Sequence, residues 1–171
     1  MIVVVDNTET LVVTAGAVGP AGPPANQFRG ALYRTTSGEI DFTGITPGVF
    51  INSGLTGTLE GTTDVGTAAG ASGVFGIRRT DPGPQMTYVI ATADVTASQN
   101  KTLAIKLALN GTPIDATECN ASVTNQVVAK LHSMWLLELD EDDVVSVWFA
   151  NKTNSAAITV ERARMVLFGV P

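Results

Sequence analysis

Glu138, Asp140, Glu141, Asp142 and Asp143 form the one dense cluster of carboxylates in the chain. Carboxylates packed this closely can ligate a divalent cation or serve as the acid and base of a glycosidase. An EF-hand loop needs a glycine at its sharp turn and a spaced bidentate Glu, and this run supplies neither. The cluster is therefore expected to be a solvated turn joining two strands. His132 is the only histidine. With no second His or Cys close to it in sequence, one chain lacks the ligands of a zinc site, and only copies meeting on a threefold axis would gather enough imidazoles. Cys119 is the single cysteine; a nucleophile needs an adjacent base, and the spacing offers none. Arg78-Arg79 and the Arg162/Arg164 pair are the basic couples, expected to meet carboxylates within an assembly rather than an acidic partner. Trp135 and Trp148 flank the acidic turn. Indoles can stack on sugars, but they more often supply core or interface area. No reaction can be written from these residues. The expectation is a non-enzyme with no catalytic, cofactor-binding or metal-binding residue, and no cofactor.

The 171 residues favour one domain with short appendages. Apolar residues make up 44 % and charged residues only 15 %, well below the roughly 25 % of an ordinary soluble domain. So little charge covers a monomer poorly, which points to surface hidden between subunits. The net charge of −6 repels phosphate backbones, so nucleic acid is not an expected partner. No polybasic anchor and no apolar run of about 20 residues is present, so neither is a membrane. A lone cysteine excludes an intrachain disulfide. The start, Met1-Ile2-Val3-Val4-Val5-Asp6, lacks the basic region of a secretory signal, and synthesis and assembly in a cytoplasm are expected. The sequons at Asn100, Asn110, Asn120 and Asn151 then read as turn residues rather than glycosylation sites.

Residues Gly16 to Pro24 read Gly-Ala-Val, Gly-Pro-Ala, Gly-Pro-Pro, three Gly-X-Y triplets of the kind that lets three polyproline-II chains close on one axis. Before them stand the apolar runs Ile2, Val3, Val4, Val5 and Leu11, Val12, Val13. Such an arm is expected to add to another molecule's sheet edge or pack inside an assembly; the alternative is a first strand of the domain's own sheet. Residues 1–27 are thus an extended N-terminal arm, 28–73 a loop-rich segment of short strands, and 74–171 a β-domain. Within the last, strands are expected at Val74–Thr80, Met86–Ala97, Leu103–Leu109, Pro113–Val123, Val127–Leu139, Val144–Phe149 and Ile158–Phe168. Asn110-Gly111 supplies a tight hairpin turn. Val127–Leu139 is apolar on both parities, which calls for cover on both sides. Val128, His132, Met134, Trp135, Leu136 and Trp148 are accordingly expected at a trimer interface, and Ile2 to Val5 with Leu11 to Val13 at an anchoring contact.

From Thr87 to Phe168 the ordered elements resemble the tumour-necrosis-factor-like jelly roll of many tailed-phage virion proteins. They are Tyr88–Val95, the hairpin Leu107–Ile114, the segment Leu137–Asn151 and the strand Ile158–Glu161. Where the family has a Gly-Asp turn this chain has Glu141. The resemblance implies an all-β jelly-roll β-sandwich forming a tight homotrimer, often preceded by collagen-like triplets. It implies a virion structural protein. The size and layout of the chain, short and without a shaft but with an adhesive-looking apolar arm, lead to the expectation of a capsid decoration or cement protein on the head surface, bound to the major capsid protein or another virion protein. The alternative is the receptor-binding tip of a tail fibre recognising a host glycan.

Overall fold

A computed structural model of the chain describes residues 2–6, 9–13, 29–63, 65–67, 75–80 and 82–170. The Gly-X-Y triplets lie outside the described residues. Among those described, fifteen strands run in chain order: β1 (Ile2–Asp6), β2 (Glu9–Val13), β3 (Arg29–Arg34), β4 (Gly38–Ile40), β5 (Ile51–Asn52), β6 (Thr58–Thr63), β7 (Val65–Thr67), β8 (Gly76–Arg79), β9 (Gln85–Thr96), β10 (Lys101–Leu109), β11 (Thr112–Pro113), β12 (Cys119–Val123), β13 (Ala129–Leu139), β14 (Val144–Asn151) and β15 (Ile158–Gly169).

The front sheet has the order β13-β9-β15-β3-β6, with β4 also on β15. The back sheet has the order β11-β10-β14-β8-β7, with β12 also on β10 and β5 on β14. Every pairing among the described residues is antiparallel, and from β8 onward the chain crosses between sheets from β8 to β9, β9 to β10, β12 to β13, β13 to β14 and β14 to β15. The protein is therefore an all-β jelly roll. Strands of the loop-rich segment do not stand apart: β3, β4 and β6 extend the front sheet, and β5 and β7 the back one.

Period-two alternation explains the core. Val89, Ala91, Ala93 and Val95 of β9 face Leu103, Ile105 and Leu107 of β10 across the sandwich, and Phe75, Ile77, Phe149, Met165 and Leu167 fill the space between. In β15 the alternation changes parity. Val160 pairs with Val95 and Arg162 with Asp94, so Glu161 is an extra residue in a β-bulge. Ile158 and Val160 point inward before it, and Ala163, Met165 and Leu167 after it.

The turns are built by side chains as well as backbone. Asn110 and Gly111 both take positive φ (49° and 80°) in a two-residue turn from β10 to β11. Asn110 also donates to Asp143 Oδ1 (2.6 Å) and accepts from the Val144 amide (2.9 Å), tying this hairpin to the acidic turn. There the left-handed position is Asp142 (φ 67°), while Asp143 Oδ2 accepts the Asp140 amide (2.8 Å). Glu141 thus does not disturb the turn, because the strained position falls one residue later, on a type that tolerates it. Arg79, buried at the end of β8, donates to the carbonyls of Gly83 and Leu139.

The stretch Pro113–Val123 departs from expectation. It is not one edge strand but β11, a 3-10 turn at Asp115–Thr117, and β12. Buried Thr117 accounts for the break. Its hydroxyl accepts the Leu107 amide (2.9 Å) and donates to the Ile114 carbonyl (2.6 Å), replacing ladder bonds that the detour removes. Thr117→Val, of nearly equal volume, is expected to lower unfolding free energy by about 1–3 kcal/mol by leaving that amide unpaired, measured by urea denaturation.

Candidate interaction surface

The outward face of the front sheet divides along its strands into two kinds of row. Cross-strand register sets Leu136, Tyr88 and Phe168 side by side, and then Met134, Ile90, Val166 and Ala31. Tyr88 and Phe168 touch, their ring centroids 5.3 Å apart. Met86, opposite Glu138, extends this apolar half. These side chains are not core: Met134 is 52 % exposed, and Met86 and Leu136 are 40 % exposed each. Scattered apolar side chains on a surface are ordinary, but a contiguous patch over three adjacent strands is a candidate contact surface.

Two residues further along the same strands the rows become polar and basic. His132, Thr92, Arg164 and Tyr33 form one, and Lys130, Asp94 and Arg162 the next. Together with Arg34 they line an open concavity of ≈ 400 Å³. Arg162 approaches Asp94 at 4.0 Å, Tyr33 donates to Glu60 (2.8 Å), and Arg34 donates to the carbonyls of Thr56 and Ser37.

The residues expected at one trimer interface are not all together. His132, Met134 and Leu136 share the outward face of β13, and Val128, half exposed, immediately precedes that strand. Trp135 has the inward parity, but β13 is an edge strand, so the indole is 40 % exposed at the rim. Trp148 lies elsewhere. It is on the outer face of the back sheet, paired with Lys106 and Asn52, and its Nε1 donates to Ser146 (3.2 Å). The sandwich separates it from His132, because residue 148 has the parity opposite to the core positions Val147 and Phe149. Met86, Tyr88, Ile90, Val166 and Phe168 belong to the patch and were not anticipated. Their signal was present, since 86–91 is also apolar on both parities.

The anchoring candidates fall in β1 and β2, which among the described residues pair only with each other: Ile2 opposite Val13, Val3 opposite Val12, Val4 opposite Leu11. They form a separate ribbon and extend neither sheet of the sandwich.

Cys119 sits in β12 opposite Ile105, packed against the core. Among the described residues no group of three or more His, Cys, Asp or Glu is arranged to hold a metal ion, and no helix is long and apolar enough to cross a membrane.

The outer face of the back sheet carries a cluster that sequence reasoning missed. Lys106 meets Asp115 (2.7 Å) and Glu118 (3.0 Å), Lys152 pairs with the other oxygen of Glu118, and the Phe50 ring lies 4.2 Å from the Lys106 ammonium. Burial alone would lower the Lys106 pKa, but the two carboxylates outweigh it and raise it. The Lys152 hydrogen bond, opposed by desolvation and reinforced by Lys106 and Asn120, holds Glu118 at about 2. A carboxylate depressed on folding stabilises above its unfolded value of 4.5, and that stability is lost as pH falls towards 2. Glu118→Gln is expected to flatten the decline in unfolding free energy across this window, measured by urea titration at successive pH values.

No protein-family model matches the chain, and no curated protein matches it in sequence. Solved structures do match in fold. The chain is similar to the Eiger TNF from S. frugiperda at 12 % identity and a TM-score of 0.54, covering 85 % of this chain and 94 % of that one. It is similar to the globular domain of zebrafish complement 1qA protein at 11 % and 0.53, covering 85 % and 98 %. It is similar also to the PRD1 vertex protein P5 at 10 % and 0.53, covering 84 % and 97 %. The class defined is the jelly roll of the tumour-necrosis-factor and complement-1q type, and at these identities the likeness is one of fold.

Proposed function

We propose that the chain is a virion structural protein, a homotrimeric capsid decoration or cement protein that binds the outer surface of a phage head and stabilises it. The observation that carries the reading is the exposed apolar half of the front sheet, which needs cover that one copy does not provide. Burying a large apolar side chain is worth about 1.5–3 kcal/mol, so joining several such residues from three copies supplies a strong drive to associate. The fold shared with the PRD1 vertex protein supports a place in a virion. The ribbon β1–β2 supports attachment. A two-stranded ribbon alone is marginal in water, and the sequence Ile2-Val3-Val4-Val5 is apolar at every position. Laid against the major capsid protein, it would gain cover, and three ribbons per particle would add avidity.

Light scattering should report about three times 17.7 kDa. Leu136→Asp with Met134→Asp should give a folded monomer, since both side chains point away from the core; wild-type protein already monomeric at micromolar concentration would overturn the trimer. Deleting residues 1–15 should abolish co-sedimentation with capsids and leave the mass per chain in the trimer ratio unchanged. Reproducible glycan-array binding without capsid attachment would favour the tail-fibre tip.

A further inference from the structure

We infer that the basic concavity beside His132 is a binding site for an oxyanion of the phosphate type, free or carried on a sugar. Four cations, Arg34, Lys130, Arg162 and Arg164, line it against one carboxylate, Asp94, in a chain whose net charge is −6. That concentration runs against the charge of the whole molecule. Internal pairing does not use it up. Lys130, His132 and Arg164 make no hydrogen bond or ion pair with any described residue, and Arg162 reaches Asp94 only at the 4.0 Å limit.

The backbone fixes the arrangement. Lys130 and His132 lie on β13, Thr92 and Asp94 on β9, and Arg162 and Arg164 on β15, in register. Residues directly opposite on neighbouring strands have Cβ atoms about 4.5–5.5 Å apart. The bulge at Glu161 turns both arginines to this side of the sheet. Arg164 and Arg162 can present guanidinium forks to two edges of one oxyanion, Lys130 adds a compact charge, and the Thr92 hydroxyl and His132 imidazole add donors. A phosphate-type group satisfies such donors better than chloride because it accepts several hydrogen bonds at once. The ≈ 400 Å³ of open space exceeds a single oxyanion and leaves room for a sugar ring beside Tyr33.

All residues of the site come from one chain, although His132 also borders the face through which the trimer is proposed to form. The test is calorimetric titration of inorganic phosphate and of glucose 6-phosphate into the full chain, in chloride buffer of constant ionic strength. Saturable binding of one anion per chain is expected, weakened about tenfold or more by Arg164→Gln or Lys130→Gln. Arg78→Gln, on the back sheet, should leave it unchanged. Tighter binding of glucose 6-phosphate would assign the anion to a sugar, and equal binding would assign a free oxyanion. Absence of saturable binding by both, or equal binding by wild type and Arg164→Gln, would overturn the inference. Light scattering on the same samples separates the two readings, since a monomer that binds phosphate would sink the trimer and leave the anion site standing.

Discussion

One extra residue in the last strand governs how the front sheet faces the world. β15 is the central strand of that sheet, paired with β9 on one side and β3 on the other. Without the bulge at Glu161, strict alternation from Ile158 and Val160 would carry Arg162 and Arg164 inward and leave Ala163, Met165 and Leu167 in water. Burying two guanidiniums without partners costs far more than a local kink, so the bulge is fixed by the residues that follow it. The outward rows of Arg162, Arg164, Val166 and Phe168 are a consequence, and so is their meeting with the outward residues of β9 and β13.

Much of this was legible from the residues. Alternation located β9, β10, β13, β14 and β15 to within a residue or two, and Asn110-Gly111 located its hairpin, because these signals are local and of fixed period. Three features were hidden because they depend on what lies across the sheet. The 3-10 turn at Asp115–Thr117 is stabilised by a hydroxyl bonded to a strand partner eight or more residues away. The position of Trp148 follows from which sheet β14 joins, and flanking the acidic turn in sequence places two tryptophans on different layers. The Lys106–Glu118–Lys152 cluster gathers residues from β10, from between the 3-10 turn and β12, and from just after β14, which no spacing rule brings together. The reach of the apolar patch onto β9 and β15 was partly visible, since both parities of 86–91 are apolar.

The surface of the described residues is distinguished by how its charge and its apolar area are distributed. The acidic turn spends Asp143 on its own backbone and on Asn110, Cys119 packs against the core, and Arg79 is buried at the sheet end. Those residues are thus structural, while Lys130, His132 and Arg164, which have no side-chain partner among the described residues, stand beside an exposed apolar patch. That pattern fits the proposed function, with one region to associate and another for the inferred charged ligand.

The split of the front face into a greasy end and a cationic end has a consequence for symmetry. Two copies laid face to face about a twofold axis across the strands would press guanidiniums against methionine and leucine, which is unfavourable on both counts. Association about an axis running along the strands instead sets apolar rows beside apolar rows, and cationic rows beside cationic rows whose repulsion a bound anion would offset. An assembly built through this face is therefore polar, with a top unlike its bottom, and every copy in it presents the same end to whatever lies beneath.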